Sequence, residues 1–169
     1  MHVLSLAVRL ATLCGLLWLA AVDVHVRRLP NPAVLMIGAM FFADAWIEQL
    51  PLHDVLVHIG IAVSAYAVCA VLFALRMMGG GDAKLASVIF LWSGSRLWLP
   101  ALMLISIVGL LVALLSLATR SISTQHTSLP MRALALFSGE RGVPYGVALA
   151  LGGGTVIVLA GLLPLSLPR

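Results

Sequence analysis

Two aspartates interrupt parts of the sequence that are otherwise apolar. Asp82 comes directly after Gly79-Gly80-Gly81, and Asp23 follows a long apolar run near the start of the chain. A carboxylate in an apolar membrane segment is costly if it faces lipid, so both side chains should face protein or a watery cavity. Two carboxylates brought together cannot both ionise cheaply and tend to share one proton. The ionised member can then draw a proton from water while the protonated member supports an oxygen atom of the substrate.

Each aspartate also has a plain structural explanation. Asp is a favoured N-cap and a glycine run can be a simple linker, with Lys84 lying among lipid head groups. Asp23 could pair with Arg27 or Arg28 at the membrane surface. However, an acid at the C-terminal end of a helix opposes the macrodipole, which favours cations there. Asp23 is therefore not placed for helix stability, but the residues alone leave both explanations open.

The composition is that of a membrane protein. Of the 169 residues, 62% are hydrophobic and 9% are charged, and the mean hydropathy is +1.14, far from the values of a soluble domain. The net charge of +4 comes from scattered residues, so we expect no nucleic-acid partner. Cys14 and Cys69 both lie in apolar runs and offer neither a disulfide framework nor a Cys-x-x-Cys metal site. We expect a polytopic protein in a lipid bilayer, with no metal and no cofactor.

Apolar runs predict an all-α fold of six transmembrane helices in one domain, residues 1–169. The runs are residues 3–22, 33–46, 55–75, 83–92, 97–118 and 143–163. The fourth run, opened by the Gly-Gly-Gly-Asp turn, is only about 15 Å long and should cross incompletely or line a cavity. The first run resembles a signal peptide, with Arg9 as the basic region and Ala20-Ala21 as the cleavage site. Since further spans follow, we expect it to stay uncleaved.

Basic residues are distributed unevenly between the two ends of these helices. Seven lie on one side and three on the other, namely Arg27, Arg28, Arg76, Lys84, Arg120, Arg132 and Arg141 against Arg9, Arg96 and Arg169. By the positive-inside rule, the side with seven is cytoplasmic. Asp23 and Asp82 both belong to that side, so we expect the two carboxylates to meet at the cytoplasmic face.

Several motifs resemble those of one family of membrane proteases. Gly-Gly-Gly-Asp-Ala-Lys-Leu at residues 79–85 is similar to the motif of the GxGD intramembrane aspartyl proteases, most of all their prepilin peptidase branch. Asp23, followed by arginine and then Leu-Pro-Asn at residues 29–31, resembles the first aspartate motif of that branch, although Leu29 stands where isoleucine is expected. Arg-Gly-Val-Pro-Tyr-Gly-Val-Ala at residues 141–148 resembles its third motif.

The resemblance implies a membrane-embedded aspartic endopeptidase that removes a short basic leader from prepilins or pseudopilins at the cytoplasmic face of the bacterial inner membrane. It places at the site the catalytic pair Asp23 and Asp82, and around them Gly79, Gly81, Lys84, Asn31, Pro144 and Tyr145. Longer members of the family carry a cysteine-rich domain and methylate the new N-terminus. Because no such domain is present in this sequence, we expect the short form associated with Flp or Tad pili, without methyl transfer.

Other protease chemistries lack their residues in this sequence. No His-Glu-x-x-His motif is present, as a zinc protease would need, and Ser93-Gly94-Ser95 is not the Gly-x-Ser-Gly of a rhomboid-type serine protease. His53 and His58 belong to no pattern that names a metal, and we interpret them as packing or interfacial residues.

A function of a different class stays open. The chain could be a non-enzymatic component of pilus assembly, or a small transporter in which Asp23 and Asp82 relay protons. Co-expression with a pilin precursor separates these alternatives from the peptidase, because only the peptidase shortens the precursor.

Overall fold

The computed structural model describes residues 2–26, 29–118 and 145–162, and this part of the chain consists of helices joined by short connections. Five helices follow one another: α1 (His2–Val26), α2 (Asn31–Ile47), α3 (Leu52–Ala74), α4 (Gly80–Ala118) and α5 (Tyr145–Leu162). No strand occurs among the described residues. The predicted all-α class is confirmed.

The predicted count of six transmembrane helices is not supported. Within the described residues, three helices are long and apolar enough to cross a membrane, over Val3–Val26, Leu52–Ala74 and Gly80–Ala118. The apolar helices Asn31–Ile47 and Tyr145–Leu159 are shorter. The 17 residues of α2 extend about 26 Å, less than the hydrocarbon thickness of about 30 Å. The predicted fourth and fifth spans are two helical segments that meet at Gly94, where the backbone is not helical, and the start of the predicted sixth span lies outside the described residues.

A kink at Gly94 divides α4 into a first arm, residues 80–93, and a second arm, residues 95–118. Gly94 has φ 56° and ψ −165°, which no helical residue adopts and which side-chain-bearing residues rarely tolerate. A Cβ atom at this position would overlap the imidazole ring of His58. The same ring lies with Nδ1 2.7 Å from the carbonyl oxygen of Leu91, a group that the kink leaves near the end of the first arm. The kink therefore depends on both glycine and the histidine beside it.

Prolines and glycines set the helix starts that matter for the aspartates. Pro30 is the N-cap of α2 and Pro32 lies in its first turn, as expected from the fixed φ of proline. The carbonyl oxygen of Gly79 accepts the first hydrogen bond of α4 from the N–H of Ala83, at 3.1 Å. Helix α4 thus begins at Gly80, three residues before the predicted start, and Asp82 lies in its first turn.

Helix α5 packs against both α1 and α4, while α3 packs on α4. Glycines on α5 allow the close approach: a Cβ atom on Gly152 would lie 2.8 Å from the backbone of Ile105, and one on Gly153 would lie 2.7 Å from the side chain of Ile89. Small residues of this kind bring membrane helices together. Because α5 sits between α1 and α4, its N-terminal end lies beside the helices that carry the two aspartates.

Candidate active site

Asp23 lies in the last turn of α1 and is 6% exposed. Its Oδ2 atom accepts a hydrogen bond from the backbone N–H of Gly146, with 2.9 Å between the nitrogen and the oxygen. Gly146 belongs to the first turn of α5, where backbone N–H groups have no partner within the helix and carry the positive end of its dipole. The unfavourable position of Asp23 at the C-terminal end of α1 is therefore offset by the N-terminal end of another helix.

Asp82 is half-buried in the first turn of α4. Its carboxylate accepts a hydrogen bond from the backbone N–H of Gly79, the residue that caps the helix. An acid three residues after the N-cap that bonds back to it forms one half of a capping box. The capping explanation for Asp82 is thus partly right, although the aspartate acts from within the first turn and the N-cap itself is glycine.

The two carboxylates lie near enough for the charge of Asp23 to act on Asp82. They come from the C-terminal end of α1 and the N-terminal end of α4, 59 positions apart in the sequence. The sequence predicted from membrane topology that the two carboxylates lie at the same end of the helices, and the packed helices bring them near each other. A pair of neighbouring carboxylates in partly buried surroundings can hold one proton between them, which is the arrangement that two-aspartate hydrolysis requires.

The predicted glycines lie in close contact with the site. A Cβ atom on Gly79 would lie 2.7 Å from Oδ2 of Asp82, so a side chain here would displace the carboxylate. A Cβ atom on Gly81 would lie 3.1 Å from Cβ of Leu29, in the connection that follows Asp23. Gly79 therefore leaves room for the Asp82 carboxylate, and Gly81 lets the segment after α1 pack against the start of α4.

Lys84 and Asn31, both predicted to support the site, contact each other. The ammonium group of Lys84 donates a hydrogen bond to Oδ1 of Asn31, with 3.0 Å between Nζ and the oxygen. Both side chains are exposed, so the bond ties the start of α2 to the first turn of α4 at the surface. These residues hold the two segments that flank the carboxylates.

The third predicted motif contributes through a residue that the sequence did not single out. The ring of Tyr145 packs beside the second arm of α4, where a Cβ atom on Gly109 would lie 3.7 Å from its Cε1 atom. The Tyr145 hydroxyl makes no hydrogen bond to the described residues, whereas the next residue, Gly146, bonds Asp23 through its backbone. Pro144, Arg27 and Arg28 lie outside the described residues. A backbone donor leaves no signal in residue types, so sequence reasoning could not have named Gly146 from its chemistry.

The family comparison agrees with the motifs. The model of the type IV leader peptidase family matches residues 10–114, more than half of the chain, and the match includes both aspartates. Neither the curated proteins nor the solved structures gave a match. Gly146 lies beyond the matched residues, so its contact with Asp23 is an observation of the structure alone. Because the family model matches more than half of its residues, this chain belongs to the type IV leader peptidase family.

Proposed function

We propose that the protein is an aspartic endopeptidase that cleaves the leader from Flp- or Tad-like prepilins or pseudopilins, with Asp23 and Asp82 as its catalytic pair. The observation that carries the proposal is the approach of these two carboxylates at the junction of α1, α4 and α5. Membership of a leader peptidase family supplies the reaction class. The choice of a Flp- or Tad-like substrate is supported by the connections between the first four helices, residues 27–30, 48–51 and 75–79, which are too short to hold an inserted domain.

The mechanism needs water, a base and an acid. The ionised aspartate takes a proton from water, whose oxygen attacks the carbonyl carbon of the scissile peptide, and the protonated aspartate donates a hydrogen bond to the carbonyl oxygen. When the tetrahedral intermediate collapses, the C–N bond breaks and the aspartate that took the proton from water gives it to the leaving amine. The backbone N–H groups of Gly146 and Gly79 keep the carboxylates of Asp23 and Asp82 in place while the protons move.

The position of the pair suits a substrate that is cut next to a membrane helix. Asp23 and Asp82 lie at helix ends rather than at helix centres, where the hydrocarbon gives way to the interface. A prepilin whose apolar segment is embedded in the bilayer would present the preceding leader at that depth. The positive-inside rule supports placing this end at the cytoplasmic face of a bacterial inner membrane, because the sequence predicts seven basic residues on this side and three on the other.

The direct test of the proposal is substitution of each aspartate by asparagine, followed by co-expression with a prepilin and an assay for leader removal. We expect Asp23→Asn and Asp82→Asn to accumulate uncleaved precursor, because an amide can neither activate water nor cycle a proton. In the Asp82→Asn variant the new amide oxygen can still accept the Gly79 N–H, so helix capping survives and the protein should remain in the membrane. Glu140→Gln is the control for loss of an acid elsewhere in the chain.

Two results would count against the proposal. Substantial processing by both asparagine variants, with membrane abundance checked by immunoblot, would remove the mechanism and favour a non-enzymatic or transporter role. An active periplasmic-type phosphatase fused at Ser123 would place the 119–142 segment outside the cytoplasm and overturn the cytoplasmic site.

Methylation is tested separately, since we expect the processed N-terminus to stay a free amine when this protein acts alone.

A further inference from the structure

Helix α5 packs against both arms of α4 through two neighbouring glycines. A Cβ atom on Gly153 would lie 2.7 Å from the side chain of Ile89, which belongs to the first arm. A Cβ atom on Gly152 would lie 2.8 Å from the backbone of Ile105, which belongs to the second arm. Contacts this close leave little freedom between the helices, so the position of α5 depends on how the two arms are arranged.

The second arm runs antiparallel to α5. A Cβ atom on Gly109 would lie 3.7 Å from the side chain of Ala148, whereas Ile105 lies beside Gly152, so residue numbers fall along the arm as they rise along α5. The second arm therefore leads from the kink at Gly94 back towards the N-terminal end of α5. A different backbone angle at the kink would move the second arm and, through these contacts, that end of α5.

The kink is held by His58, a residue of α3. The carbonyl oxygen of Leu91 belongs to the last turn of the first arm, where such oxygens lack partners further along a helix. Nδ1 of His58 lies 2.7 Å from this oxygen, and Nδ1 must be the donor because a carbonyl oxygen only accepts. The same ring fills the space that a Cβ atom on Gly94 would need. His58 thus caps the first arm and packs over the residue at which the backbone turns.

The ring of His58 is itself supported by α2. It stacks on Phe41 with 5.1 Å between the ring centroids, and Phe41 is 3% exposed. Trp92, near the end of the first arm, packs edge-on against the same phenyl ring and donates from Nε1 to the carbonyl oxygen of Ile37, at 3.1 Å. Helix α2 therefore fixes both the imidazole ring and the end of the arm that the ring caps.

Resting on the proposed function, we propose that His58 is a positioning residue for the aspartate pair. By holding the kink it fixes the two arms against which α5 packs, and so keeps the N–H of Gly146 on the carboxylate of Asp23. Gly94 follows Asp82 by 12 positions, which is about 18 Å along the first arm. His58 therefore touches no reacting atom and acts on the site only through the packing of the helices.

Substitutions of His58 separate its hydrogen bond from its bulk. His58→Asn places an amide N–H one bond beyond Cγ, as Nδ1 is, and can still donate to Leu91. His58→Gln carries its amide one bond further out, and His58→Ala carries none. We expect the Gln and Ala variants to lower kcat about tenfold with little change in KM, because a misplaced catalytic group weakens the transition state more than substrate binding. We expect His58→Asn to process precursor at the rate of the unmodified protein.

The matched control is His53→Ala, which removes a histidine from the same helix. The side chain of His53 is 85% exposed and contacts its neighbour Asp54. Processing by His53→Ala should equal that of the unmodified protein.

Amide hydrogen exchange at Gly146 measures the positioning without any cleavage. N–H groups in the first turn of a helix have no partner within that helix, so slow exchange at Gly146 reports its bond to Asp23. The full chain in detergent, labelled with isotopic glycine, gives this signal by NMR, and its loss in Gly146→Ala assigns it. We expect exchange about tenfold faster in the Gln and Ala variants of His58 and restored in the Asn variant, with the amide of Gly15 on α1 unchanged as the internal reference.

The exchange measurement keeps this inference separate from the proposed function. Faster exchange at Gly146 with recovery in His58→Asn would support positioning by His58 even if the unmodified protein cleaved no prepilin. Unchanged exchange at Gly146, or an equal acceleration at Gly15, would overturn the inference and leave His58 a role in stability alone. If His58→Ala does not accumulate in the membrane, the comparison of the Asn and Gln variants decides, and equal behaviour of these two would also overturn it.

Discussion

The backbone N–H of Gly146 donates a hydrogen bond to the carboxylate of Asp23, joining the first turn of α5 to the last turn of α1. The contact spans 123 positions of sequence, and its donor is a backbone group that only substitution by proline would remove. It brings the positive end of one helix dipole to an acid that sits at the negative end of another. Within the third motif, Gly146 therefore contacts Asp23 through its backbone, and the absence of a side chain allows the close approach.

Gly146→Ala should impair the enzyme without removing either aspartate. A Cβ atom at this position would lie 2.7 Å from Oδ2 of Asp23 and 2.9 Å from its Cβ atom, so the carboxylate or the end of α5 must move. A misplacement of about 1 Å in a catalytic group can lower a rate about 100-fold. We expect a loss of leader cleavage of that order, measured as the rate of precursor processing at equal membrane abundance.

The matched control for this change is Gly60→Ala. A Cβ atom on Gly60 meets no atom within 4 Å, and alanine in place of a helical glycine stabilises a helix by up to about 1 kcal/mol. Processing by Gly60→Ala should equal that of the unmodified protein. If Gly146→Ala processed precursor equally well, the close packing of α5 against Asp23 would have no bearing on activity.

Lys84→Gln and Asn31→Ala should each slow processing modestly. Their hydrogen bond is exposed and links the segments that flank the aspartates, and such a bond contributes about 1 kcal/mol. That corresponds to a loss of about fivefold in rate. Because the two changes break the same bond, the double variant should be no slower than either single variant. Additive losses in kcat/KM would show that the residues act separately.

The sequence singled out Asp23 and Asp82 because intramembrane acids beside glycines and prolines are unusual and their motifs are specific. Asp23, Asp82, Gly79 and Gly81 were named from motifs that resemble those of a known family, and the structure gathers them at one end of the bundle. The all-α class followed from apolar runs. The number of transmembrane helices did not follow from them, because a run of apolar residues does not fix the length of a helix.

Asp44 was missed, although a signal for it exists. It is the only charged residue in the predicted second span, as Arg9 is in the first. Charges within membrane segments need partners, so two lone charges of opposite sign on successive spans predict an ion pair. The hydrogen bond between His58 and Leu91, by contrast, depends on the kink of α4 and has no signature in the sequence.

Gly94→Ala should destabilise the protein strongly. Alanine at φ 56° and ψ −165° costs about 1–3 kcal/mol from backbone conformation alone, and its Cβ atom would also overlap the His58 ring. Gly109→Ala on the same helix is the control, since its Cβ atom would make ordinary contacts at 3.7 Å. Thermal unfolding in detergent measures the stability of both variants. Adding His58→Ala to Gly94→Ala should recover the steric part of the loss but not the backbone part, and complete recovery would contradict this division.

The ion pair between Arg9 and Asp44 should stabilise the protein only as a pair. Asp44→Asn leaves a guanidinium that is 15% exposed without its counter-charge, and removing one partner of such a pair costs about 3–5 kcal/mol. Arg9→Met leaves the Asp44 carboxylate with the hydroxyl of Ser5, so it should cost a similar amount. Replacing both charges by apolar residues, Arg9→Met with Asp44→Leu, removes the uncompensated charge and should be less harmful than either single change.

A double-mutant cycle on thermal unfolding in detergent measures this coupling, with Arg9→Met, Asp44→Leu and their combination as its three variants. Because the two side chains are in direct contact, their effects should be far from additive. High salt should change the result little, since both groups are buried and screening acts mainly on exposed charges. If the losses of stability simply add, each residue contributes through packing. The contact between α1 and α2 near Arg9 and Asp44 would then not depend on charge.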